Sequence, residues 1–84
     1  MVETLRERLM ALEPLTLLIE DESHRHAGHA GAKEGGHYDL LIIAEGFDGK
    51  NTVARHRMIY EAAGDLMRNG IHALSIRAFS PGEV

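Results

Sequence analysis

The spacing of apolar residues divides the chain into two helical and three strand-like stretches. In residues 2–12, Leu5, Leu9 and Leu12 recur at intervals of four and three positions, with charged residues between them. That spacing places the three leucines on one side of an amphipathic helix of about three turns. Pro14 ends this helix, because the residue before a proline is pushed out of the helical region.

The longer helical pattern covers residues 52–68. Gly64 lies inside this stretch, and we expect it to weaken the helix by roughly 1 kcal/mol relative to alanine. The Asn69-Gly70 pair that follows is typical of a helix C-terminal cap, so the helix is predicted to run to residue 68. Its predicted buried stripe contains Ile59, Ala63 and Leu66.

Residues 15–23, 37–45 and 71–79 have the alternating pattern of β-strands. Residues 24–36 have no period and four glycines, which predicts a long, mobile loop, and such a loop in a small domain is more often functional than accidental. The order α-β-β-α-β predicts an α+β fold. We expect a hairpin followed by a strand that joins through the long helix, giving a three-stranded mixed sheet with both helices on one face.

The composition is that of a globular protein, with 44% hydrophobic and 26% charged residues. A length of 84 residues leaves room for a single domain, and we expect its ordered core to cover about residues 2–80. The uncharged stretches are too short to cross a membrane, and the N-terminal residues lack the apolar core of a signal peptide. We therefore expect a cytoplasmic protein with no membrane partner.

The chain contains no cysteine and six histidines, so a metal would have to be bound through imidazole. His24, His26 and His29 lie in the predicted loop, and His37 opens the second strand. Such a cluster can bind zinc, nickel or copper, although a polar, solvated loop explains it equally well. His72 opens the third strand with the parity of the apolar face, where it would be either a ligand or a half-buried histidine bonded to a carbonyl.

Signatures of catalysis are missing from the sequence: it has no nucleophile elbow, no P-loop and no dinucleotide fingerprint. The pair Gly46 and Gly49 has the spacing of the clamp loop of KH domains, which is a weak match taken alone. We therefore expect neither an enzyme nor a small-molecule substrate.

Three stretches of the chain together resemble the BolA family, and between them they span about residues 5–82. The most specific markers are the Arg-His-Arg sequence at 55–57 and the His-Ala-Leu sequence at 72–74. The resemblance implies a KH-like (class II) α-β-β-α-β fold, which agrees with the order of elements predicted from periodicity. The three stretches are Leu12–Leu15 continuing into Asp21–His26, Phe47–Lys50 followed by Arg55–Tyr60, and Ile71–Ile76.

The resemblance also implies a partner and a cofactor. Proteins of this family pair with monothiol glutaredoxins and share a bridging [2Fe–2S] cluster, for which the histidine of the His-Ala-Leu sequence, here His72, is a ligand. A second ligand comes from the first loop, where His26 matches best and His24 and His29 are substitutes. The chain has no thiolate, so the glutaredoxin cysteine and glutathione would supply the sulfur ligands. This interpretation makes the protein an adaptor in iron–sulfur cluster trafficking or iron regulation.

Two alternatives compete with the adaptor hypothesis. Some bacterial members of the family are regarded as transcriptional regulators, and here a DNA surface would combine Lys50, Arg55, Arg57 and Arg68 with the turn at 46–49. The net charge of −4 and nearby acidic residues argue against strong binding to DNA. The other alternative is a stand-alone zinc or nickel site built by the loop histidines.

Overall fold

The computed structural model describes residues 1–23 and 36–84, and these residues form an α+β fold with the predicted order of elements. The predicted loop at 24–36 lies outside the described residues, apart from Gly36. The strand boundaries predicted from the sequence agree with the structure to within two residues. The elements are α1 (Val2–Leu9), β1 (Thr16–Asp21), β2 (Gly36–Ile43), α2 (Thr52–Ala63) and β3 (Ile71–Phe79).

The three strands form one mixed sheet in the order β1-β2-β3. β1 and β2 are antiparallel, whereas β2 and β3 are parallel, as predicted. A parallel pair needs a crossover connection, and α2 provides it. The core lies between the two helices and one face of the sheet, where Tyr38, Leu40, Ile42 and Ala44 of β2 and the residue after it are buried, which confirms their predicted alternation.

The first helix follows its prediction closely. Leu5 and Leu9 are completely buried, and Leu12 packs against the same core from a 3-10 turn that continues α1 over Met10–Leu12. The chain then reverses at Glu13, which has a φ of 52°, immediately before Pro14. The proline thus ends the helical region as expected.

The predicted end of α2 at residue 68 is wrong. The helix ends at Ala63 because Gly64 adopts φ 60° and ψ −130°, a conformation that is open to glycine and strained for other residues. The guanidinium of Arg8 takes over the last carbonyl, since its Nη1 donates to the oxygen of Ala63 at 2.9 Å. A 3-10 turn over Gly64–Met67 follows, and it still buries Leu66 as predicted.

The predicted orientation of His72 is also wrong. The parity of β3 places it on the apolar face, but its side chain is exposed. The reason is a bulge: Gly36 pairs with Ile71 and His37 with Ala73, so His72 is an extra residue without a partner in the register. A bulge turns the side chain of its extra residue away from the regular alternation.

Candidate functional site

Two histidines meet at the end of the sheet where β2 begins. His37 is half-buried at the start of β2, and His72 projects from the bulge in β3. The centroids of their imidazole rings are 5.0 Å apart, and the ring planes are inclined by 38°. The bulge therefore places the imidazole of His72 next to that of His37 and not on the apolar face.

The separation of the two rings fits a shared metal ion. A histidine nitrogen binds a metal at about 2.0–2.1 Å, which would place the centroids of two ligand rings about 4.5–5.2 Å apart. The observed distance of 5.0 Å lies in this range. Two imidazoles on one iron also complete the ligand set of a Rieske [2Fe–2S] cluster, whose other iron is bound by thiolates that this chain does not contain.

His37 is fixed by hydrogen bonds at the neck of the β1–β2 connection. The backbone N–H of His37 donates to the Oγ of Ser23 at 3.0 Å, and its backbone carbonyl accepts from the backbone N–H of Glu22 at 2.7 Å. Ser23 is itself held, because its N–H donates to Oδ1 of Asp21 at 2.8 Å. Each hydrogen bond of this kind contributes about 1 kcal/mol, so together they stabilise the backbone position of His37.

The buried side chain of Tyr38 contacts the same end of the hairpin from the core side. Burial raises the pKa of its phenol, and the nearby carboxylate of Asp21 adds to that effect, whereas a hydrogen bond with Ser23 acts in the opposite direction. The phenol therefore stays neutral at physiological pH. A Cβ at Gly36 would collide with the ring of Tyr38, so any other residue at that position would displace the ring.

Three carboxylates cluster in the row of the sheet that contains His37 and the row next to it, a feature that could not be predicted from the sequence. One carboxylate oxygen from each of Glu20, Glu22 and Asp39 lies within 4.8 Å of the other two. Glu20 faces Asp39 across the β1–β2 ladder, and Asp39 shares its side of β2 with His37. This end of the sheet therefore combines two imidazoles with a concentrated negative charge.

Of the predicted ligands, His72 lies in the part of the chain that the structure describes, whereas the loop histidines do not. His72 is placed next to His37, which the sequence analysis grouped with the loop histidines without assigning it as a ligand. The register that joins the two histidines depends on the bulge, for which the sequence gives no signal. His26, and its substitutes His24 and His29, lie outside the described residues, so their role as second ligand stays a prediction.

Arg55, one of the predicted DNA contacts, is bound inside the protein. Its Nη1 and Nη2 donate to the two carboxylate oxygens of Glu83 at 2.6 and 3.1 Å, and Nη1 also donates to the carbonyl of Ala78 at 3.0 Å. The hydrogen bond from Arg55 is the main cause that lowers the pKa of Glu83 to about 2. The guanidinium also lies 5.9 Å from the centroid of the Phe47 ring. The exposed members of the predicted surface are Lys50, Arg57 and Arg68.

Comparison with known proteins identifies the family. The model of the family described as BolA-like protein matches residues 9–83, which is most of the chain. The chain belongs to the BolA family. The match includes both of the markers on which the sequence resemblance rests, at 55–57 and 72–74.

Several BolA relatives are similar over nearly the whole chain. Protein BOLA1, chloroplastic, from Arabidopsis thaliana is 44% identical over 84 residues, which cover 94% of this chain and 52% of that protein. SufE-like protein 1, chloroplastic/mitochondrial, from the same plant is 42% identical over 87 residues, covering 95% of this chain and 24% of that protein. The chain thus spans about half of the first relative and about a quarter of the second.

A bacterial relative carries a different description. The DNA-binding transcriptional regulator BolA of Escherichia coli (strain K12) is 32% identical over 79 residues, which cover 93% of this chain and 73% of that protein. In the part of the BolA chain that the structure describes, no helix is both long enough and apolar enough to span a membrane.

Solved structures agree with the BolA assignment. BolA1 from Arabidopsis thaliana superimposes with a TM-score of 0.86 at 42% identity, covering 100% of this chain and 95% of that one. The BolA domain of SufE1 from the same plant gives a TM-score of 0.84 at 46% identity, covering 98% and 93%. The α+β architecture predicted from the sequence is therefore confirmed as a BolA fold.

Proposed function

We propose that the protein is an adaptor that binds a monothiol glutaredoxin and shares a bridging [2Fe–2S] cluster with it, in iron–sulfur cluster trafficking or iron regulation. The observation that supports this most directly is the His37–His72 pair, whose rings have the separation of two ligands on one metal ion. The absence of cysteine requires that another molecule supply the thiolates. Glutathione and the glutaredoxin cysteine have that chemistry.

In this proposal the chain provides imidazole ligands and does not catalyse a reaction. His72 is presented by the bulge in β3. The second ligand is His26 according to the family resemblance, with His24 and His29 as substitutes, and the geometry adds His37 as a further candidate. Only a neutral imidazole binds metal, so ligation should be lost on acidification. We propose the cytoplasm as the compartment, whereas the plant relatives are named chloroplastic.

Cluster reconstitution tests this function. The protein is mixed with a monothiol glutaredoxin, glutathione, iron and sulfide, and the visible circular dichroism is recorded. We expect a spectrum distinct from that of the glutaredoxin homodimer, and we expect it to be lost in His72→Ala. His56→Ala serves as the matched control, because His56 lies on α2 against Tyr60. A wild-type mixture that gives only the homodimer spectrum would rule out the shared cluster.

The same assay assigns the second ligand. His26→Ala and His37→Ala are reconstituted in parallel with the wild type. Loss of the heterodimer spectrum in His37→Ala alone would assign the pair seen in the structure, and loss in His26→Ala alone would assign the loop histidine implied by the family resemblance. Substitution of a histidine ligand by cysteine should also lower the reduction potential of the cluster, because imidazole ligation raises that potential relative to thiolate ligation.

DNA binding is a second candidate because the Escherichia coli relative is named a DNA-binding transcriptional regulator. The exposed cations Lys50, Arg57 and Arg68 would then contact phosphates, while Arg55 is bound to Glu83. Fluorescence anisotropy with duplex DNA at two salt concentrations tests this function. Phosphate contacts predict an affinity that falls steeply as salt rises, and that falls in Arg57→Glu. Binding that is absent at low salt would exclude it.

A further inference from the structure

The face of the sheet that lies opposite the helices has an ordered chemical pattern. The strand registers arrange it in four rows that run across the sheet. The two rows far from the histidine pair are mainly apolar, and the two rows near it carry the acidic residues and His37. From the far end, the rows are Thr16–Ile43–Phe79, Leu18–Leu41–Arg77, Glu20–Asp39–Ser75 and Glu22–His37–Ala73.

The apolar side chains of this face do not contribute to the core of the described chain. The core and the apolar residues that pack against it come from the helices, the 3-10 turns and the opposite face of the sheet, and they include none of Leu18, Leu41, Ile43 and Phe79. Leu18 is 58% exposed, whereas Leu17 and Ile19, which precede and follow it in β1, pack against the core on the opposite face of the sheet. Leu41, Ile43 and Phe79 are partly exposed beside it. A contiguous exposed apolar patch rimmed by charged residues marks an interaction site.

The same face continues into the histidine pair. His37 occupies the last row, and its ring contacts that of His72. A partner whose thiolates complete a metal site there would lie beside the acidic rows. A stable interface buries about 800 Å² on each partner, which is far more than two histidines offer. An interface that extends along the sheet from the last row crosses the row of Glu20 and Asp39 and then reaches Leu18 and Leu41.

We propose that this sheet face is the docking surface for the partner that supplies the sulfur ligands, which is the glutaredoxin if the proposed function is correct. The partner presents an apolar patch to Leu18, Leu41, Ile43 and Phe79. It presents lysine or arginine side chains to the acidic row, because Glu20, Glu22 and Asp39 concentrate negative charge beside the metal ligands. The apolar rows provide affinity, and the acidic rows provide orientation and a fast, salt-dependent association.

Calorimetric titration with a purified monothiol glutaredoxin and glutathione, without cluster, tests the apolar rows. Leu18→Lys should weaken binding about ten-fold or more, as expected when an exposed apolar side chain that an interface buries is replaced by a charged one. Val53→Lys is the matched control, since Val53 on α2 is 59% exposed and Leu18 is 58% exposed. Val53→Lys should bind as the wild type does. Equal affinities of the two variants would refute the docking surface while the adaptor function stands.

Charge reversal tests the acidic rows and does not depend on how Leu18→Lys folds. Glu20→Lys should slow association and flatten its dependence on salt, whereas Glu61→Lys on α2 should leave both unchanged. Failure of the wild type to bind any glutaredoxin would overturn the proposed function and this inference with it. Sedimentation of the chain as a dimer that Leu18→Lys dissociates would show instead that the face binds a second copy, and would overturn the inference alone.

Discussion

Arg55 and Glu83 form a contact that ties the C-terminal residues to α2. The Arg55 side chain is 10% exposed and the Glu83 side chain 44% exposed, so the pair lies at the boundary of the core. Glu83 also accepts the N–H of Ser80 at 2.8 Å, within a capping box that holds a short 3-10 turn. One carboxylate therefore serves two partners, and its charge is needed for both. The contact with Arg55 could not be predicted from the sequence, because the two residues are 28 positions apart. The capping box is local, and Ser80 followed three positions later by Glu83 is its sequence signature.

Glu83 should make stability depend on pH in the acid range. Its pKa is lowered from the usual 4.5 to about 2, so between these values the unfolded chain binds a proton that the folded chain does not. Stability from this group is complete above about pH 4.5 and is lost as the pH falls towards 2. Glu83→Gln removes this contribution. We expect urea midpoints of wild type and Glu83→Gln to differ at pH 6 and to converge towards pH 2.

The control for this titration is Glu61→Gln, which removes an exposed carboxylate of α2. Its urea midpoint should run parallel to that of the wild type over the same pH range. A difference between wild type and Glu83→Gln that stays constant at every pH would mean that the pair with Arg55 does not lower the pKa of Glu83.

At the level of elements, the sequence predicts where strands and helices are, but not where α2 ends or how β3 is registered. Apolar periodicity placed Ile59 and Ala63 in the core correctly, because burial of a repeating stripe is a local property. The end of α2 depends instead on Gly64 together with Arg8 of α1, a contact across 55 positions. The exposure of His72 likewise depends on its pairing with β2, which a single strand cannot reveal.

Gly64→Ala tests the end of α2. At φ 60° and ψ −130° an alanine is strained, and its Cβ would lie 3.2 Å from Nη1 of Arg8, so both the turn and the cap would be disturbed. We expect a loss of about 1–3 kcal/mol in the free energy of unfolding, measured by urea denaturation. Gly82→Ala is the control, because a Cβ there meets no atom within 4 Å. Equal stability of the two variants would show that α2 can continue through residue 64.

At the scale of the whole molecule, the sheet separates stability from recognition. Its inner face and the helices supply the core, whereas its outer face carries apolar rows that lie outside that core and are only partly buried in the described chain. Alternation along a strand does predict two faces, and it identified the inner face of β2 from Tyr38 to Ala44. The sequence could not show that the outer face leads to the histidine pair, because that arrangement needs the register of all three strands.

The two phenylalanines of the chain allow this separation to be tested with one kind of substitution. Phe47 is completely buried beneath Arg55, and Phe79 lies half-buried on the outer face beside Ile43. Truncation of a buried phenylalanine to alanine costs about 3–5 kcal/mol, a large part of the roughly 4–13 kcal/mol expected for a domain of this size. Phe47→Ala should therefore lower the melting temperature by about 10 °C or more in thermal denaturation.

Phe79→Ala should keep its fold and still bind the glutaredoxin less tightly. Its truncation removes apolar area from the docking face and leaves the core intact, so the cost in stability should be about 1 kcal/mol while the affinity falls several-fold. Circular dichroism melting and calorimetric titration of the same samples separate the two effects. If Phe79→Ala unfolds as Phe47→Ala does, the outer face belongs to the stabilising core. If it keeps both its stability and its affinity, Phe79 lies outside the contact, and docking is confined to the rows nearer the histidine pair.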